Sequence, residues 1–227
     1  MTPARIALAA RNNAEWCDAV TRSWGERGRF EAALWINPGA APPFYPNAVT
    51  LAQSTAVPKE IAEAGGSFAV KDSFAALDLT SFGFTPLFEA SWIWRDSQPM
   101  QVEDSVAWRI VRDATALVRW EAAWRGGEPA LDLFRPTLLE QRDHAFIAGE
   151  VGGRIVAGCV ASRSAQVVGI SNLFGASALQ AGCIAAAQGF APGLPVVGYE
   201  ADAALEAMKG LGFQALGSLR VWQRETG

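Results

Sequence analysis

The chain is poor in the residues that usually do chemistry: among its 227 residues there are one histidine, three cysteines and two tyrosines. Most informative is the pair Tyr199-Glu200, which closes the uncharged run LPVVGYE (194–200). It sets a phenol and a carboxylate at the carboxyl end of a candidate parallel strand, where ligands of open α/β sheets collect. A second candidate is the stretch Asn172-Leu173-Phe174-Gly175-Ala176-Ser177, where a strand gives way to a helix. Small residues there leave backbone N–H groups bare, and a helix start favours anions. Ser171 and Asn172 are polar within an apolar strand, which suits either a hydrogen bond to a ligand or a bulge where the sheet opens. His144 follows Asp143 at a strand start and reads as a loop residue. Cys159 and Cys183 sit in AGCVA and AGCIA, where a thiol is a small core residue. No spacing of ligating residues suggests a metal.

Bulk composition narrows the class. Half the residues are hydrophobic and nine are tryptophan, which excludes a disordered chain. The net charge of -4 is spread evenly: 8 of 19 basic and 10 of 23 acidic residues fall in 1–100. Nucleic acid as a main partner is disfavoured, because phosphate affinity needs concentrated positive charge. An odd set of cysteines without CxxC spacing predicts reduced thiols and a cytoplasmic protein. Residues 167–199 carry no charge and are long enough to span a membrane. Asn172, Gln180, Gln188, two prolines and several glycines break the run into strand, helix and strand, so it reads as a buried centre and not a membrane span.

The elements that must position these residues follow from pattern. Asn12 with Glu15 predicts a helix start, with Trp16, Val20 and Trp24 on one stripe. FEAALWI (30–36), AVTLAQ (48–53) and SFAVKD (67–72) read as strands, with a four-proline loop at 37–47 and a helix at 57–65. A short helix at 74–81 leads to Gly83-Phe84 and a strand through Trp94. DSQPMQVED (96–104) is the best linker. A strand at 107–113 comes next, then a helix capped by Thr115 with Leu117, Trp120 and Trp124 on one face, and a short helix at 135–141. Gly152-Gly153 joins two strands as a hairpin. A strand at 167–174, a helix with Ser177 at its cap and a strand at 194–200 make a parallel crossover. A helix at 203–210 and a strand at 214–223 complete the chain.

One stretch is written nearly twice. AALDLTSFGFTPLFEASWIWR (75–95) and AALEAMKGLGFQALGSLRVWQR (203–224) share an Ala-Ala-Leu-acid start, a Gly-Phe step, a tryptophan-bearing strand and a final arginine. Just before them, KD at 71–72 stands in register with YE at 199–200, so Asp72 matches Glu200. Such self-similarity indicates two related units.

The order of elements over 106–224, with GEVGGRIVAGCVASRS as central hairpin and ALEAMKGLGFQALGSLRVW as terminal helix and strand, resembles the GNAT superfamily of acyl-CoA-dependent N-acyltransferases. The resemblance implies an α/β fold with a mixed sheet in two GNAT-like units: a truncated, degenerate one at 1–100 and a full one at 101–227. It implies acetyl transfer from acetyl-CoA to the amine of a small molecule. Glu200 would be the base, with Glu150 the second choice, and residues 172–177 would receive the pyrophosphate. Bulkier residues at Gly175 and Ala176 should then abolish CoA binding and leave the fold nearly intact. Two departures stand out. The family's Arg/Gln-x-x-Gly-x-Gly/Ala loop is replaced by FGASALQAG (174–182), which has no arginine. The tyrosine that protonates the departing thiolate is replaced by Met208, which leaves Tyr199 as the candidate acid. Both departures also fit a catalytically silent GNAT-like protein that binds a ligand or partner. The aromatic-rich PPFYPN (42–47) and Trp35, Trp92 and Trp94 are either walls of an acceptor pocket or core.

Overall fold

A computed structural model describes residues 2–100, 102 and 105–225. The chain packs as two compact units. One comprises residues 2–93 together with 199–209 and 214–225; the other comprises 94–198 with 210–213. The C-terminal helix and strand therefore pack mainly with the N-terminal segment. The 96–104 segment lies partly outside the described residues.

In the first unit, α1 (Thr2–Ser23) is followed by β1 (Arg29–Phe30), β2 (Leu34–Ile36), β3 (Ala48–Thr50), α2 (Lys59–Ala62), β4 (Phe68–Asp72), a 3-10 turn (Thr80–Phe82) and β5 (Thr85–Arg95). From the C-terminal part come α5 (Asp202–Gly210) and β11 (Gln214–Arg224). The strand order is β1-β2-β3-β4-β11-β5. β3 and β4 are parallel, joined across α2, and β11 pairs antiparallel with β4. α1 lies over β11 and β3. Ile6, Ala9, Ala10, Asn13, Trp16, Cys17 and Val20 recur at three and four residues on its buried stripe, and from Asn12 to Thr21 every residue but Glu15 is buried, so its second half is enclosed on more than one side. The approach is close enough that a Cβ on Gly217 would come within 2.9 Å of Ile6. Beneath the strands, Ile36, Ile61, Phe68, Leu79 and Trp222 form a core.

α1 begins about ten residues before the expected Asn12 start. Asn12 and Asn13 are therefore buried inside the helix instead of capping it. The expected strand at 30–36 is a tight β1–β2 hairpin, and the expected helix at 74–81 is only a 3-10 turn at Thr80–Phe82.

The second unit contains β6 (Ala107–Ile110), α3 (Ala114–Trp124), a 3-10 turn (Pro136–Glu140), β7 (His144–Val151), β8 (Arg154–Arg163), β9 (Val168–Gly175), a 3-10 turn (Ser177–Leu179), α4 (Gln180–Phe190) and most of β10 (Val196–Glu200). Its strand order is β10-β9-β8-β7-β6, antiparallel except for the parallel β9–β10 pair. Gly152 and Gly153, at φ 56° and 78°, make the expected two-residue hairpin turn. The sheet is covered on both faces, as the apolar, buried middles of β7, β8 and β9 demand. On one, Trp120 of α3 packs edge-on against Phe134, Phe146 and Phe174. On the other, Cys159 contacts the Cys183 carbonyl of α4. The α3 cap is Asp113, which accepts from Ala116 N–H at 2.9 Å, and not Thr115.

Candidate active site

Both candidate segments lie at strand ends. β9 pairs with β10 only through Val168↔Val196 and Gly169↔Val197. Further along, the register of β8 with β9 shifts between Gly158 and Val160, so Cys159 faces two residues, Asn172 and Leu173. Asn172 takes φ 52°, the left-handed conformation that asparagine tolerates better than most residues. Of the two readings of Ser171 and Asn172, the bulge is the one observed. It bends β9 where its pairing with β10 has ended, so the backbone from Ile170 on is not laddered to β10.

After the bulge, Gly175, Ala176, Ser177 and Ala178 are exposed. Ser177 does not cap α4. It opens the 3-10 turn, whose preceding residue Ala176 makes no side-chain cap bond. The first N–H groups of such a turn have no acceptor within it, which is the donor set an anion uses. Leu179 N–H already donates to the Ala176 carbonyl at 2.8 Å. Gly175 is glycine for another reason. It sits at φ 106°, and a Cβ there would lie 2.6–2.8 Å from Ala157 Cβ, Ala157 Cα and the Val156 carbonyl. A bulky residue at 175 would thus distort β8, contrary to the expectation that this position can be enlarged with the fold intact.

Tyr199 and Glu200 belong to the first unit. Tyr199 Oη accepts a hydrogen bond from Lys71 Nζ at 3.3 Å, and the ammonium stands 4.3 Å from the ring centroid. Trp92 meets the same ring edge-on at 5.6 Å. Lys71 also donates to Asn13 Oδ1 at 2.7 Å. Glu200 is half-buried, and its carboxylate makes no hydrogen bond or ion pair with any described residue. Burial without compensating donors raises its pKa to about 7. A carboxylate tuned to neutral pH is the property a general base needs.

The other candidates resolve quickly. Glu150 is ion-paired with Arg109, so its charge is already engaged. His144 is part-buried, with Nδ1 3.2 Å from Ser162 Oγ. Met208 is fully buried in α5. Trp35, Trp92 and Trp94 are core, whereas Phe44, Tyr45, Pro46 and Asn47 of PPFYPN line a cavity. Lys71 is not visible as a candidate in the sequence: a lone lysine in SFAVKD reads as a solvated strand position. Among the described residues no cluster of three ligating side chains could hold a metal, and no helix is long and apolar enough to cross a membrane.

Neither a family model nor a curated protein matches the sequence. Solved structures do match. A GCN5-related N-acetyltransferase from Kribbella flavida is similar over 96% of both chains, with a TM-score of 0.65 at 16% identity. A GCN5-related N-acetyltransferase from Sphaerobacter thermophilus matches 70% of this chain and 60% of its own, with a TM-score of 0.51 at 12% identity. The chain therefore has the GNAT fold. A tandem GNAT protein from the clavulanic acid biosynthesis pathway matches over 96% of this chain and 95% of its own, with a TM-score of 0.52 at 11% identity, so the likeness extends through both units.

Proposed function

We propose that the protein is an N-acyltransferase that moves an acetyl group from acetyl-CoA to the amine of a small molecule. The observation that carries this reading is Glu200: a half-buried, unbonded carboxylate with a pKa near 7, at the end of a parallel strand in a GNAT fold. The thioester supplies the activated acyl group. Glu200 takes a proton from the acceptor ammonium, so that the free amine attacks the thioester carbonyl. The C–N bond forms, the C–S bond breaks and the leaving thiolate takes up a proton, while the second proton shed by the attacking nitrogen replaces the one that the acid gave. Tyr199 is the proposed donor of the thiolate's proton; Lys71 Nζ stands 3.3 Å from its oxygen.

Residues 172–177 are the proposed diphosphate site. This assignment is supported by the bulge at Asn172, the end of the β9–β10 ladder and the uncapped turn at Ser177. No lysine or arginine occurs between Val168 and Glu200, so the N–H groups would act without a charged partner. We also propose that residues 1–100 are a truncated copy of the unit at 101–227. Three free, buried cysteines fit a reducing, cytoplasmic setting.

The alternative is a silent GNAT-fold protein, and the uncharged turn together with buried Met208 favours it. Calorimetric titration with acetyl-CoA separates the two. Binding, together with acetylation of a panel of small amines that drops about 100-fold or more in Glu200→Gln, is the expected result. No binding at millimolar acetyl-CoA removes the enzyme reading.

A further inference from the structure

Within the first unit, the PPFYPN loop, β4, β5 and β11 enclose a cavity of about 500 Å3. That size falls in the range of small-molecule sites, roughly 300–1,000 Å3. The charged residues lining it are Lys71 and Arg224, and no acid joins them, although the chain as a whole is acidic.

Lys71 is 4% exposed. Taking an ammonium out of water is costly unless a counter-charge compensates it. Here two of its three N–H groups go to neutral oxygens, Asn13 Oδ1 at 2.7 Å and Tyr199 Oη at 3.3 Å. No carboxylate of a described residue lies within ion-pair distance. Its strand neighbour Asp72 points the other way, toward Thr50, Phe74 and Leu77. Arg224 also lacks an acidic partner among the described residues; it spends its N–H groups on the carbonyls of Ala64, Gly66 and Phe82.

The rest of the lining is mostly apolar, with Asn47, Ser67, Tyr199 and Gln223 among its uncharged polar members, and part of it is open to the outside. Phe44, Leu87 and Phe88 are 76%, 56% and 41% exposed. Phe44 is held at φ 68°, a conformation that costs a bulky residue energy and persists only when its surroundings enforce it. They do so here. Asn47 Nδ2 donates to the Gly39 carbonyl at 2.9 Å, Asn37 Nδ2 to the Ala40 carbonyl at 3.0 Å, and Tyr45 N–H to the Pro42 carbonyl at 3.1 Å. A rigid aromatic wall thus stands at the mouth, with an uncompensated cation inside.

We propose that this cavity binds a small organic carboxylate with an apolar or aromatic body, the carboxylate meeting Lys71 and the body lying among Phe44, Leu87 and Phe88. The proposal does not rest on acyl transfer: it is argued from Lys71 and the apolar wall and uses neither Glu200 nor residues 172–177, although Tyr199, the proposed acid, also lines the cavity. Titration with 3-phenylpropionate and with its neutral analogue 3-phenylpropanamide tests it. Wild type should bind the carboxylate at least about 10-fold more tightly than the amide, the scale of one charge-assisted hydrogen bond. Lys71→Met should lose roughly 10–100-fold for the carboxylate and little for the amide. Phe44→Ala should weaken both. The proposal is overturned if wild type does not bind the carboxylate at millimolar concentration, if it binds the amide equally well, or if a folded Lys71→Met binds the carboxylate as wild type does. The carboxylate–amide comparison needs only the wild-type protein, so it decides even if Lys71→Met fails to fold.

Discussion

The end of β4 and the end of β10 are built to one plan but surround their carboxylates differently. Each strand is five residues long and runs parallel to the strand before it. Each is followed, three or two residues on, by a non-glycine residue at φ 47°, Ala75 or the first residue of α5, Asp202, and then by a glycine at φ 79° or 87°, Gly83 or Gly212. A buried phenylalanine and an eleven-residue strand complete both. The carboxylates at matching positions nevertheless differ. Asp72 is 1% exposed; it accepts N–H bonds from Phe74 at 3.2 Å and Leu77 at 2.8 Å, and the Thr50 hydroxyl lies at 3.4 Å. Glu200 accepts none from the described residues. An aspartate is short enough to turn back onto the N–H groups that follow it. A glutamate is one methylene longer and leaves its turn unbonded. Matching positions thus hold a carboxylate clamped by hydrogen bonds at Asp72 and one without a donor among the described residues at Glu200.

The comparison breaks most visibly at Asp72. Removing its carboxylate strands two backbone donors and a hydroxyl, at about 1–3 kcal/mol for each buried group left unsatisfied. Asp72→Ala is expected to lose about 3–5 kcal/mol in urea denaturation, enough to unfold many domains. An unchanged midpoint would show that Asp72 is no clamp.

Glu200→Gln should do the opposite, and only at high pH. The folded pKa of about 7 lies above the ordinary 4.5, so the native state holds its proton longer than the unfolded one. Native stability therefore falls as pH rises from 4.5 through 7. Glu200→Gln should match wild type at about pH 4 and exceed it by up to about 2–3 kcal/mol at pH 8, with partial exposure reducing the effect. The difference in melting temperature at the two pH values measures it. An equal effect at both would contradict the burial of an uncompensated carboxylate.

Gly175→Ala probes the second unit's side of the comparison, because β3 has no counterpart of the β9 tail. The close approach to Ala157 and the φ of 106° predict a loss of about 1–3 kcal/mol. A neutral outcome would mean that β8 yields easily there. The smallest effect is expected at Thr50, whose hydroxyl accepts from Ser73 N–H at 2.8 Å and donates toward Asp72. Thr50→Val should cost about 1 kcal/mol, and much less in an Asp72→Ala background, since the two share one network.

Legibility tracks the range of the interactions. The hairpin at Gly152-Gly153, the uncharged β9–α4–β10 crossover and the repeated Gly-Phe step can be read because their signals lie within a few adjacent residues. The start of α1 is harder to read: Thr2-Pro3 is a local start signal, but Asn12 with Glu15 is a competing one, and the packing on β11 and β3 that decides between them is distant in sequence. Tyr199 and Glu200 are visible as a strand end. Lys71 is not, since its partners Asn13 and Tyr199 are 58 and 128 residues away.

By itself, then, the sequence determined the element order, the repeat and the uncharged centre, because hydrophobic period, glycine and turn chemistry are local properties. Tertiary structure alone decided which charges are buried and what they meet. Among the described residues it made Asp72 a clamp, left Glu200 without a donor and enclosed Lys71 without a carboxylate, because desolvation and hydrogen bonding depend on what the folded chain brings alongside a residue.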